Sequence, residues 1–212
     1  MHQQQRFRAT MEPLIKMDLG GMIEREEQII IDLGCGPRKR TGTIGVDRID
    51  MNGVDIVADL EDSLSFLPNG CVDRIYCRSV LEHVSRFEAL LEEMVRVLKP
   101  DGVAHVFVPH FSNPYFYSDY THQRFFGLYT FYYFVEPDKQ LRRKVPNYHT
   151  SLKIRIVSQK LVFRSNCRLL QPFKKLWGKL INLHPRLQEW YEENWCYLVP
   201  CHGIEVVFSR NA

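Results

Sequence analysis

Ile29-Ile30-Ile31-Asp32-Leu33-Gly34-Cys35-Gly36-Pro37 decides how the rest of this chain is read. Three β-branched residues, then Asp-Leu and a Gly-x-Gly turn, read as a fully buried parallel strand running into a tight loop. Glycine is required there because a side chain would block close backbone approach to a ligand and could not follow a positive-φ turn. In an open α/β sheet, the loop at the carboxyl end of the first strand is where a nucleotide binds.

Outward from this stretch the pattern continues. Pro37-Arg38-Lys39-Arg40-Thr41-Gly42 leaves too few residues for a full crossover helix before the next strand, Thr43–Asp47. The helix after the first strand is therefore expected to be one turn or missing. Val54–Leu60 reads as the third strand and its end, with Glu61–Phe66 as a short helix that Asp59 would cap. Val72–Cys77 is the fourth strand. Apolar residues at 87, 90, 91, 94, 95 and 98 mark one face of a helix, stopped by Lys99-Pro100-Asp101-Gly102, and Val103–Pro109 is the fifth strand. A short helix is expected around Met11–Gly20, helical structure at Phe131–Phe134, a strand or hairpin within His149–Arg164, helices at Pro172–Ile181 and Leu187–Trp195, and a last strand at Gly203–Ser209.

Three runs together resemble the class I S-adenosylmethionine methyltransferases: Asp32-Leu33-Gly34-Cys35-Gly36, then Arg78-Ser79-Val80-Leu81-Glu82-His83-Val84, then Val97-Leu98-Lys99-Pro100-Asp101-Gly102. The resemblance covers roughly residues 28–109. It implies a Rossmann-like, mostly parallel seven-stranded sheet with helices on both faces, and S-adenosylmethionine as cofactor. It assigns cofactor contacts to Asp32, Gly34, Cys35 and Gly36, and to Asp47 with Arg48 at the end of the second strand, where a carboxylate accepts both ribose hydroxyls. Asp59 and Leu60 would hold the adenine, and Arg78, Ser79 and His83 the methionine side. His83 is equally readable as a helix cap, Asp47 as a turn residue and Asp59 as a cap. A dinucleotide fold would want Gly-x-Gly-x-x-Gly, but Lys39 stands at the third position.

Beyond the fifth strand, residues 110–126 crowd aromatic, His, Asp and Arg side chains together. A loop there faces the ligand crevice, so it is the natural acceptor loop, although the same rings equally build a satellite core. Asn113-Pro114-Tyr115 with Asp119-Tyr120-Thr121-His122-Gln123-Arg124-Phe125-Phe126 resembles methyltransferases of cell-surface polysaccharide and lipopolysaccharide synthesis. That implies O-methylation of a saccharide or glycolipid, with an amine or other small-molecule acceptor, or a non-catalytic binding module, as alternatives. His110 or His122 is the expected general base, with Asp119 as an orienting partner, because imidazole titrates near neutrality.

Composition sets the outer limits. At 212 residues and 45% hydrophobic content the chain is expected to be one globular domain, residues 1–212, with a cofactor core at 28–109 and the acceptor loop and basic segment at 110–200. No apolar run reaches bilayer length, and the first residues lack a signal-peptide core, so a cytoplasmic protein is expected. Six scattered cysteines form no Cys-x-x-Cys pair, so free thiols and metal-independent transfer are expected. The formal charge of +3 hides an asymmetry. Lys139–Leu180 holds twelve Lys or Arg and no Asp or Glu, leaving sixteen basic and twenty-five acidic residues elsewhere. Such polarity suggests an anionic partner: an anionic glycan or lipid-linked acceptor, or a membrane surface touched peripherally by the basic helix 172–181. Packing of that helix on the protein's own core is the default, and nucleic acid is not expected.

Overall fold

A computed structural model describes residues 12–211. Eight strands form one sheet: β1 (Leu14–Ile15), β2 (Ile30–Leu33), β3 (Ile44–Asp47), β4 (Ile56–Val57), β5 (Val72–Arg78), β6 (Leu98–Pro109), β7 (Ile154–Val162) and β8 (Gly203–Arg210). Their order across the sheet is β1-β4-β3-β2-β5-β6-β8-β7. Neighbours from β4 to β6 pair in parallel, whereas β8 lies antiparallel between β6 and β7 and β1 antiparallel on β4. The expected mostly parallel α/β sheet is present with one strand more than expected, the two-residue edge strand β1.

The β-branched runs go where a sheet covered on both faces needs them. Ile29, Ile31, Leu33, Val46, Ile56, Ile75, Val106 and Val108 are all buried. Helix α2 (Phe87–Val97) lays Phe87, Leu90, Leu91, Met94 and Val97 on the core. Phe87 meets Phe126, Phe131 and Phe134 edge-on, with centroids 5.5, 6.1 and 5.8 Å away. Such geometry suits the ring quadrupoles. The satellite-core reading of the 110–126 stretch holds in part: Phe116 and Phe126 are buried, while Tyr115, Tyr117, Tyr120 and Phe125 are exposed.

After β2 the helix is reduced to a three-residue 3-10 turn, Gly36–Arg38. Two expected helices are not found. Pro13 disfavours helix in the residue before it, and Asp18 caps a helix only from Leu19 onward, so Leu14–Ile15 is extended and α1 runs Leu19–Glu24; Met11 lies outside the described residues. Residues 61–66 are turns because α2 side chains claim their backbone. Glu93 accepts from the Leu64 N–H and the Ser63 hydroxyl, and Arg96 donates to the Leu64 and Leu67 carbonyls.

Helices α3 (Gln171–Ile181) and α4 (Pro185–Asn194) pack beside β7. The default of a core-facing α3 is only half met. Ile181 is buried and Trp177 packs against the core, yet Phe173, Leu176 and Leu180 are 51, 58 and 47% exposed. Among the described residues no helix is long and apolar enough to cross a membrane.

Candidate active site

The loop after β2 is a cradle. Gly34 and Gly36 hold φ of +64° and +55°. A Cβ on Gly34 would lie 2.3 Å from Val80 Cγ2, so nothing larger fits between this loop and the segment after β5. A Cβ on Gly36 would meet nothing within 4 Å; its backbone faces open space. The Gly34 and Cys35 N–H groups both donate to the Val46 carbonyl, which locks the loop to β3. Beside it opens a cavity of about 560 Å³ lined by Asp32, Gly34, Cys35, Arg38, Arg40, Arg78 and Arg164.

The carboxylates brace this cradle. Asp32 accepts from the Arg40 N–H at 2.9 Å and closes the loop from below. Asp47 accepts from Gly36 N–H at 2.9 Å with one oxygen and from Ile49 N–H at 3.0 Å with the other. Each oxygen has a further lone pair, so the group can still accept hydroxyl donors. Asp59, nearly buried, accepts from Glu61 N–H at 3.0 Å, and Leu60 packs against the core. Arg48 is exposed on the turn after β3. Partial burial, with Asp47 nearby, pushes the Cys35 thiol up to about 11, so it stays protonated and is no nucleophile.

At the carboxyl end of β5, Arg78 lays its guanidinium 4.3 Å above the Phe107 ring. Ser79 adopts φ +54°, held by its N–H on the Phe107 carbonyl. A non-glycine residue in that region carries strain that its surroundings must hold. The next turn brings Glu82 and His83 against the acceptor loop. Gln123 N–H donates to the Glu82 carbonyl, the Gln123 side chain to the His83 carbonyl and the Arg124 guanidinium to the Val84 carbonyl. His122 is thereby placed with its ring 4.8 Å from that of His83, and its Nε2 lies 3.6 Å from Asp119. Burial and the neighbouring His122 hold His83 below the usual imidazole range. The Thr121 hydrogen bonds hold the Asp119 carboxyl below the usual carboxylate range. Glu82 is 1% exposed, and burial pushes its carboxyl up to about 7.

His110 is not in this group. It is fully buried, accepts at Nδ1 from the Ser112 N–H at 3.0 Å and approaches Glu192 of α4 with Nε2 at 2.8 Å. A ring with both nitrogens engaged and no exposure joins β6 to α4; it cannot meet an acceptor. Of the two expected bases, only His122 is brought beside Asp119. Sequence reasoning passed over Glu82, although it stands inside the Leu81-Glu82-His83-Val84 run. It also passed over Arg38, Arg40 and Arg164, which only the fold gathers.

Residues 38–106, about a third of the chain, match the family model described as a methyltransferase domain. The structure is similar to a SAM-dependent methyltransferase from Archaeoglobus fulgidus, at 16% identity, 86% coverage of each chain and a TM-score of 0.54. The fold is that of a SAM-dependent methyltransferase. Similarity extends to an S-adenosylmethionine-dependent methyltransferase from Mesorhizobium loti, at 14% identity, 90 and 96% coverage and a TM-score of 0.48. No curated protein matches the sequence. Domain match and fold support a transferase enzyme with S-adenosylmethionine as its cofactor.

The residues present fit that cofactor. Gly36 leaves its face of the loop open, Asp47 retains lone pairs that would accept ribose hydroxyls, and Asp59-Leu60 follows β4, the strand beside β3. Arg78 and Ser79, at the carboxyl end of β5, would face the methionine side, where the Arg78 guanidinium would pair with the carboxylate.

Proposed function

We propose that this chain methylates a hydroxyl group of a saccharide or glycolipid that carries a negative charge. The observation that carries the reading is a continuous run of rings leading into a proton-accepting cluster. Tyr117 and Phe125 are exposed and 6.1 Å apart; Phe125 lies 5.0 Å from Phe116, and Phe116 lies 4.6 Å from His122. Flat exposed rings suit sugar faces, and the His83–His122–Glu82 cluster at their end suits a hydroxyl that must lose its proton.

S-adenosylmethionine, when bound, supplies a methyl group already activated on sulfur. The protein's part is alignment, exclusion of water and management of the acceptor's proton. Positioning of this kind contributes about 7–11 kcal/mol, and proton transfer about 10²–10⁴-fold. Arg38, Arg40 and Arg164, which line one cavity beyond the guanidinium of Arg78, support an anionic acceptor, since guanidinium groups pair bidentately with phosphate or carboxylate. The exposed apolar face of α3, edged by Lys175 and Lys179, supports docking on an anionic membrane that carries a lipid-linked acceptor.

Incubation with labelled S-adenosylmethionine and fractionated cell extract tests the reading. Label in a saccharide-containing or lipid-extractable fraction, stable as an ether, supports it. Label recovered only in small amines, or none in any fraction, overturns it.

A further inference from the structure

Three acceptor atoms converge in the cluster beside the acceptor loop. One ligand atom each from Glu82, His83 and His122 lies within 4.8 Å of the others. The hydrogen bonds around them decide which of the imidazole nitrogens are free to accept. Asp119 accepts from the Thr121 hydroxyl at 2.5 Å, so that hydroxyl has spent its only proton. Its oxygen, 2.9 Å from His83 Nδ1, must then accept, and His83 carries its proton at Nδ1. His122 Nδ1 lies 2.9 Å from the Phe116 carbonyl, a pure acceptor, and carries its proton there too. Both Nε2 atoms therefore present lone pairs. Glu82 adds a buried Oε2 that makes no hydrogen bond in the protein.

A buried carboxylate oxygen without a partner is destabilising, more so when charged. Two imidazoles fixed as Nε2 acceptors by a carbonyl and a hydroxyl beyond them are arranged as metal-ligating histidines usually are. The two ligand-bearing segments are already clamped together by the Gln123 and Arg124 hydrogen bonds.

We infer that Glu82, His83 and His122 form a binding site for a divalent first-row transition metal ion, of the zinc, cobalt or manganese class. Two imidazoles and one carboxylate are the ligand set such ions take, and magnesium, which prefers oxygen, is disfavoured. Bonds of about 2.0–2.2 Å at tetrahedral angles place ligand atoms roughly 3.5 Å apart; side-chain movements of about an ångström close the rest. Three protein ligands leave positions for water or an acceptor oxygen. Asp119, within 3.6 Å of His122, adds negative charge at the rim. The ion's role rests on the hydroxyl-acceptor reading above, in which a bound ion would activate the acceptor hydroxyl in place of a free imidazole base; its binding does not.

The test is calorimetric titration of the metal-stripped full chain with zinc chloride, together with visible absorption of the cobalt(II) form. One equivalent is expected to bind. Affinity should fall at least 100-fold in His83→Ala, His122→Ala and Glu82→Gln, each checked for folding by circular dichroism. The cobalt spectrum should lack thiolate charge-transfer bands. Absence of stoichiometric binding by the folded wild type, unchanged affinity in both histidine variants, or thiolate bands pointing to cysteine ligands would overturn the site. Stoichiometric binding through these residues, alongside label appearing only in amines, leaves the metal site standing and removes the hydroxyl acceptor.

Discussion

His83 and His122 come from separate segments, one after β5 and one from the acceptor loop, yet their rings face each other at 4.8 Å with 57° between planes. On the function proposed above, the first segment would belong to the cofactor side of the crevice and the second to the acceptor side, so this pair would mark where the two meet.

Replacement of His122 by Ala is expected to lower turnover about 10²–10⁴-fold. The dissociation constant for S-adenosylmethionine should stay nearly unchanged, because the group acts on the acceptor side. Steady-state kinetics and calorimetry on the same preparation check both halves. An equal loss of cofactor binding would move His122 to the cofactor side.

His110→Ala should behave oppositely. Removing the ring strands Glu192, which is 2.8 Å from it and largely buried, at a cost of about 1–3 kcal/mol. For a chain of this size that lowers Tm by about 2–4 °C per kcal/mol. Thermal unfolding that shows no change would contradict the structural role of this histidine.

Asp47→Ala should weaken S-adenosylmethionine binding at least tenfold, since each charge-assisted hydrogen bond lost costs about 1.5–3 kcal/mol. The same carboxylate braces Gly36, so the variant's thermal stability must be recorded beside its affinity. Unchanged affinity in a folded variant would remove Asp47 from the ribose site.

Acid should loosen the turn over residues 61–70 before the sheet. Hydrogen bonds from Arg96 hold the Glu93 carboxyl below the usual carboxylate range. A depressed carboxyl contributes stability that is present above its unfolded value, near 4.3, and that is lost as pH falls through the folded value. Glu93→Gln should flatten this part of the stability–pH curve while leaving the neutral-to-alkaline part parallel to wild type. Identical acid limbs in urea titrations would contradict the assignment.

Of the three lysines on α3, Lys174 is occupied, donating to the Pro200 carbonyl at 2.7 Å. Lys175 and Lys179 are exposed. Changing both to Gln should therefore reduce flotation with anionic liposomes, by about 1 kcal/mol per charge, and leave folding intact. Leu176→Ser should reduce it further by removing an exposed apolar contact. Equal flotation with neutral and anionic vesicles, or none with either, would make this face a solvated one.

Much of the sheet was legible because buried parallel strands are written as β-branched runs, as at Ile29–Ile31, and because glycine is demanded where φ is positive, as at Gly34. The missing crossover helix was legible from chain length alone. The illegible parts depended on side chains reaching across the sequence. Glu93 and Arg96 unwind the expected 61–66 helix from thirty residues away. His110 looked like a base by its place after the fifth strand, but Glu192 on α4 draws it inward. The pattern of α3 showed an apolar face; periodicity alone cannot say whether that face meets a core.

The three-residue turn after β2 also bears on the order in which the chain assembles. Parallel pairing is ordinarily slow because a long crossover must close first. Here Ile31 pairs with Ile44 across one short loop, whereas Val103 must find Ser209. That difference is about three doublings of loop length, roughly 2 kcal/mol of closure entropy. The β2–β3 pairing beside the glycine loop is therefore kinetically local, and the β6–β8–β7 edge is the late one.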